Sequence, residues 1–205
     1  MKRLDFDNLL SLMDSNDFAV FERDDKNFNL NLVAVRMPDT KINSFDDKLF
    51  CFWRFRKIWQ VLEFQCTTDP GSYWLGAERM GNSAGTAMLV QQQVRGMYKW
   101  GKHRNYAALE QKRPAKFVRD ANQDGVLNPD FSRVYNADIS TNLHRASQFK
   151  HTRAVGPHSA GCVVVANPYD FALLGHTCKL ARKLWGNSFT FTLLDLKYGP
   201  QHEAI

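Results

Sequence analysis

Residues 49–66 read LFCFWRFRKIWQVLEFQC. Leu49, Cys51, Trp53 and Phe55 share one side of an alternating run, and Ile58, Leu62, Phe64 and Cys66 fall in a second run, with Arg56-Lys57 between them. A period of two over both arms predicts a β-hairpin, because successive side chains of an extended chain point to opposite faces. Cys51 and Cys66 are in phase with Leu, Trp and Phe, so both thiols read as small core hydrophobes.

Working outward from the hairpin, Phe28, Leu30 and Leu32 alternate with polar residues and predict a strand before it. Phe6, Leu9, Leu10 and Met13 recur at helical spacing and predict a short amphipathic helix over 5–14, inside an N-terminal entry segment, 1–25. Asp69-Pro70-Gly71 signals a turn leading into Tyr73 to Leu75, in a part of the chain that reads as β. Gly85-Thr86 opens a strand-like run from Ala87 to Val90, and Cys162 to Val165 reads as a buried strand. A long helix follows. Asn167 can cap it, Pro168 suits its first position, and Gly186 ends it, with Phe171, Leu174, Cys178, Ala181 and Leu184 on one stripe. Phe189, Phe191 and Leu193 give a closing strand. The fold class is mainly β with α (α+β): one domain over residues 1–205, with a β-rich core from 26 to 205, a short N-terminal helix and one long C-terminal helix.

The composition of 44% apolar and 13% aromatic residues excludes a disordered or collagen-like chain. No apolar run approaches the roughly 18 residues of a membrane-spanning helix, so no membrane insertion is expected. The N-terminus alternates acids with apolar residues (Asp5, Phe6, Asp7) where a secretory signal needs an unbroken apolar core. Synthesis in the cytoplasm without a signal peptide is expected. Four cysteines without CxxC spacing are expected as free thiols. The net charge of +6 biases long-range attraction toward anionic partners.

The remaining thiol lies in Ser159-Ala160-Gly161-Cys162, with His144 18 residues upstream in Asn142-Leu143-His144-Arg145. A cysteine attacks as thiolate, so it needs a neighbouring base, and an imidazole of pKa about 6.5 is the natural partner. The small residues Ala160 and Gly161 leave the backbone open, so the Gly161 and Cys162 amides could face a developing oxyanion. A thiol activated in this way is expected to alkylate selectively near neutral pH.

This arrangement resembles the signature of the L,D-transpeptidase (YkuD-type) family over about residues 142 to 165, with weaker likeness at Thr67 to Gly71 and at Gly85 to Ala87. The resemblance implies an L,D-transpeptidase-like β-rich catalytic domain acting on peptidoglycan stem peptides through a thioacyl-enzyme at an L,D junction. It implies Cys162 as nucleophile, His144 as base then acid, the Arg145 carbonyl as the acceptor that orients the imidazole, and the Gly161 and Cys162 amides as oxyanion donors. Ser159, His158 and Asn142 are the substrate-binding candidates. Many members carry a second His or Asn where this chain has Ala160. The pair His144-Arg145-Ala146-Ser147 and Ser159 to Cys162 is similar to that of stand-alone bacteriophage proteins, which implies an endolysin acting on the cell wall after release from the host cytoplasm. Cross-linking by transpeptidation would use the same residues.

Asp120-Ala121-Asn122-Gln123-Asp124-Gly125-Val126 resembles the start of a calcium loop, with Asp120, Asn122, Asp124, the Val126 carbonyl and Asp130 as candidate ligands of a structural calcium. Phe131 stands where the closing bidentate Glu belongs. No cofactor is otherwise required. The competing reading is a basic nucleic-acid-binding or structural virion protein without activity, suggested by Trp53-Arg54-Phe55-Arg56 and Tyr98-Lys99-Trp100. Scattered cations and strand alternation of those aromatics weigh against it. His103, in the cationic stretch Lys102-His103-Arg104, reads as part of a solvated face.

Overall fold

The computed structural model describes residues 4–76 and 83–200. The hairpin that organises the sequence is present as β2 (Asp47–Phe55) and β3 (Ile58–Thr67), paired in register from Asp47 with Cys66 to Phe55 with Ile58. Arg56 and Lys57 both adopt left-handed backbone, φ 50° and 66°, as a two-residue turn matched to strand twist requires. Neither is glycine or asparagine. The turn is instead held by Lys57 N–H donating to Asp24 Oδ2 at 2.9 Å.

Eight strands close into a barrel. To β2 and β3 are added β1 (Asn31–Arg36), β5 (Gln92–His103), β6 (Tyr106–Gln111), β9 (Leu143–Arg145), β10 (Val163–Val165) and β11 (Phe189–Asp195), in the order β1-β11-β5-β6-β9-β10-β3-β2. β1 runs parallel to β11 and β9 parallel to β10; the other neighbours are antiparallel. A separate sheet holds β4 (Thr86–Leu89), β7 (Ala115–Asp120) and β8 (Asp130–Ala137) in the order β4-β7-β8.

Strand periodicity sorts side chains between two cores. Leu32, Ala34, Leu49, Cys51 and Trp53 join the main cluster, whereas Val33, Val35, Phe50 and Phe52 join a second one with Leu9 and Met13 of helix α1 (Phe6–Ser15). The N-terminal helix therefore roofs the outward face of β1 and β2, with Asp5 capping it through Asn8 N–H at 2.9 Å. Helix α2 (Pro168–Trp185) is capped by Asn167 and ended by Gly186, as its residues predict, and brings Phe171, Leu174, Cys178 and Ala181 to the main core. Leu184 departs from the expected stripe and is 44% exposed. Tyr73 to Leu75, expected to continue the β segment, instead follows a single 3-10 turn, Ser72–Trp74.

Cys51, Cys66 and Cys178 are free and fully buried. Trp53 and Tyr98, named above as stacking candidates, are buried as well, so they pack rather than present a platform. No helix among the described residues is long and apolar enough to cross a membrane.

The strand ends are tied by one buried cation. Arg36, fully buried at the end of β1, donates from Nε to Asp69 Oδ1 at 2.7 Å, from Nη1 to Asp195, and from Nη2 to the Thr68 carbonyl at 3.1 Å. Asp47, close by, accepts from Met37 N–H, Thr68 N–H and the Thr68 hydroxyl, and burial together with the Asp69 charge raises its pKa well above the carboxylate range. Removing the cation strands two carboxylates in the interior, which typically costs about 3–5 kcal/mol. Arg36→Met is expected to lower stability by roughly that amount, read from the urea midpoint; a loss below about 1 kcal/mol would show that the carboxylates find other partners.

Candidate active site

The thiol and the imidazole are delivered by adjacent parallel strands. β9 and β10 pair His144 with Val164, and Cys162 immediately precedes β10. Val163 N–H donates to the Asn142 carbonyl at 3.0 Å, which locks the two segments at the level of the site. Ring nitrogens of His144 and His103 and Cys162 Sγ lie within 4.8 Å of one another.

His144 is 2% exposed. Its Nδ1 stands 2.9 Å from the Arg145 carbonyl and 3.2 Å from the Tyr106 hydroxyl. A carbonyl can only accept, so the proton sits on Nδ1 and Nε2 keeps its lone pair. Nε2 is buried and has no hydrogen-bond partner among the described residues, so its lone pair is uncommitted. This is the tautomer a general base requires. Cys162 Sγ donates to the Ser140 carbonyl at 3.7 Å.

Burial controls the charge of the pair. It pushes the His144 pKa down to about 3, against the contrary pull of the Arg145 carbonyl and with added repulsion from His103, His158 and Arg104. It pushes the Cys162 thiol up to about 11, with the Asn142 backbone N–H and the Arg104 charge opposing. Both shifts favour a neutral thiol beside a neutral imidazole. They run against the thiolate expected near neutral pH, and their physical reason is desolvation of both groups.

Two clefts meet at the thiol. The larger, about 260 Å³, is lined by Thr86 and Arg119 of the three-stranded sheet, Ile139 and Thr141 before β9, and His103 with Cys162. The smaller, about 120 Å³, is lined by Arg104, Tyr106, His144 and His158, and again by His103 and Cys162.

The candidates from sequence divide accordingly. Cys162, His144 and the Arg145 carbonyl come together, and His158 faces the smaller cleft. Asn142 is buried, and its side chain accepts from Gln111 N–H at 2.8 Å and reaches His103 Nδ1 at 2.8 Å, so its amide is engaged within the protein. Ser159 is buried too. Its hydroxyl donates to the Cys162 carbonyl at 2.8 Å and accepts from Gly161 N–H at 3.2 Å, which makes it a turn residue. That second bond also corrects the role expected of the Gly161 amide, because it turns back into the loop. Gly161 is required for another reason: φ is 119°, and a Cβ would stand 2.5 Å from the Ala87 carbonyl oxygen.

His103 is the residue that sequence reasoning placed wrongly. Its ring stacks on His144 at 4.4 Å and 6° between planes. Nothing local marks it, since the contact is made through the β5-β6 hairpin and the β6-β9 pairing.

The acidic loop is built as a set of turns. Asp124 Oδ1 accepts from Val126 N–H and its Oδ2 from the Asn122 and Asn128 amides; Asp120 Oδ2 accepts from Asn128 N–H; Asp130 Oδ1 accepts from Ser132. Among the described residues the histidine–cysteine group is the one cluster of metal-type side chains whose ligand atoms converge, so the three carboxylates do not meet at a point. Val126 is 52% exposed. The bond pattern is the Asx-turn chemistry of Asp and Asn.

Comparison with protein families, with curated proteins and with solved structures gives no match.

Two outcomes are expected. Alkylation of Cys162 by iodoacetamide, followed by peptide mass analysis, should be slow at pH 7 and rise through the alkaline range toward about 11, while Cys51, Cys66 and Cys178 stay unmodified in the folded protein. Fast modification at pH 7 would mean that the pair rests as thiolate and imidazolium. For the acidic loop, thermal melts in calcium and in chelator should coincide within about 1 °C, whereas a rise of several degrees, lost in Asp124→Ala, would mean that calcium reorganises these turns.

Proposed function

We propose that this chain is a cysteine acyl-transfer enzyme that cleaves a peptidoglycan stem-peptide bond at an L,D junction, in a fold of the L,D-transpeptidase type, and that it serves as a phage endolysin. The observation that carries the chemistry is the His144 tautomer: Nδ1–H is taken by the Arg145 carbonyl, Nε2 is left without a partner among the described residues, and a nitrogen of this ring lies within 4.8 Å of Cys162 Sγ. The Arg145 carbonyl was the orienting acceptor that the family resemblance implies. The substrate class rests on that resemblance, on the Ser159 to Cys162 and His144 to Ser147 elements, and on a net charge of +6 suited to an anionic envelope.

In this reading the stem peptide lies in the larger cleft, where Arg119, braced by donating to the Gly85 carbonyl at 2.6 Å, offers a cation to a substrate carboxylate. The Cys162 proton passes to His144 Nε2 as Sγ adds to the scissile carbonyl carbon. The imidazolium so formed is steadied by the Arg145 carbonyl and the Tyr106 oxygen. Collapse of the adduct expels the amine, which takes the proton from His144, and leaves the thioacyl-enzyme. Water then yields hydrolysis, and an amine yields transpeptidation.

Because the neutral pair persists between about pH 3 and about pH 11, kcat/KM should form a broad plateau and not a bell centred near the ordinary histidine value. The decisive experiment incubates purified sacculi with the protein and identifies released fragments by mass. Wild type should release stem peptides, while Cys162→Ala and His144→Ala should lose at least about a thousandfold in rate, with the melting curve unchanged in Cys162→Ala and the folded fraction of His144→Ala checked by its own melt. Equal release by Cys162→Ala would overturn the mechanism, and intact sacculi with an acylated Cys162 would overturn the substrate.

A further inference from the structure

Acyl transfer needs donors aimed at the oxygen that gains charge, commonly two, standing about 2.7–3.1 Å from it. One of the two backbone amides expected here, that of Gly161, donates to Ser159 Oγ. The site therefore has room for a donor from elsewhere, and His103 lines both clefts beside the thiol.

The protonation of His103 follows from its partners. Asn142 Oδ1 accepts from Gln111 N–H, which fixes the amide so that Nδ2 points to His103 Nδ1 at 2.8 Å. An amide NH2 only donates, so Nδ1 accepts and the proton lies on Nε2. The ring is held flat on His144 at 4.4 Å and meets Tyr106 edge-on at 5.4 Å. A ring nitrogen stands within 4.8 Å of Cys162 Sγ, and the oxyanion would sit one carbon away from that sulfur, so this ring borders the position the oxyanion would take.

We propose that His103 is a catalytic residue whose neutral imidazole donates Nε2–H to the substrate carbonyl oxygen as that oxygen becomes the oxyanion of the Cys162 adduct. The inference rests on the reading of Cys162 as the acyl-accepting thiol. In the step, the S–C bond forms, the carbonyl π pair moves onto oxygen, and the thiol proton goes to His144 Nε2. His103 keeps its own proton throughout. Its neutrality has a second use, since a charged ring at this distance would oppose the imidazolium forming on His144. Burial, and then the Arg104 charge, lower the His103 pKa, with His158 and Arg119 as the other basic groups around the clefts.

The test separates acylation from alkylation at one sulfur. p-Nitrophenyl acetate acylates through an oxyanion, whereas iodoacetamide alkylates by displacing iodide and forms none. Both rates at Cys162 are measured at pH 9 by peptide mass for wild type, His103→Phe, which keeps a flat ring on His144, and His103→Gln, which keeps an N–H. Acylation should fall about a hundredfold or more in His103→Phe and recover at least tenfold of that in His103→Gln, with alkylation within about twofold of wild type in both. Parallel loss of both reactions in both variants would assign His103 a structural role, and unchanged acylation in His103→Phe would remove it from the chemistry; either overturns the proposal. If Cys162 of wild type is not acylated at all, the acyl-transfer reading itself fails, and this inference falls with it.

Discussion

A single buried guanidinium holds the ends of the barrel strands in place. Burying an ion costs several kcal/mol, which is recovered only when charges and hydrogen bonds meet it in good geometry. Arg36 has that company: two carboxylates and a carbonyl, contributed by the segment after β3 and by the end of β11. The position of Asp69 fixes the turn Pro70-Gly71, and Gly71 N–H donates to the Ser159 carbonyl at 2.9 Å. A Cβ on Gly71 would lie 2.0 Å from the Gly156 carbonyl oxygen, so the two loops touch backbone to backbone. Through this contact the charge network inside the barrel sets where the loop carrying Cys162 lies.

The second constraint is desolvation, nearly complete at His144 and partial at Cys162, which lines two clefts. Among the charged groups around the thiol, Arg104 would favour a thiolate, yet the cost of desolvation outweighs it. The same desolvation holds His144 neutral. Proposed catalysis then rests on a base in the correct tautomer and on preorganised donors, with charge appearing only when substrate is present. The bonds that hold the tautomer come from β6 and from the residue after His144, and none of them depends on the thiol.

The two-faced strands explain how a chain of this size supports such a site. Because β1 and β2 are covered on both faces, by the main core and by α1, they form a rigid wall. The three-stranded sheet supplies Thr86 and Arg119 to the cleft. Gly175 in α2 admits Trp100, whose ring would otherwise meet a Cβ at 2.4 Å, and Trp100 in turn stacks on Phe171. The helix is thereby seated against β5, the strand that ends at His103.

Much of this was legible in the residues themselves. The alternation of residues 49–66, the capped stripe of α2 and the apolar triplet before Asn167 report local periodicity, which depends only on chain geometry. Cys162 and His144 were legible because their spacing resembles a known signature, and Cys51, Cys66 and Cys178 because they fall in phase with core residues. β5 was harder to see: its pairing with β11 shifts register between Phe189 and Phe191, and Met97 and Tyr98 are buried in succession, so its period is broken. The turns of the acidic loop are local Asx chemistry, made by bonds that span no more than eight residues. Two matters belonged to tertiary structure alone. The charge state of the pair depends on burial, which no residue spacing encodes. His103 reaches the site only through pairings between strands far apart in the chain, and an imidazole next to Lys and Arg looks solvated until the sheet that stacks it on another imidazole has formed.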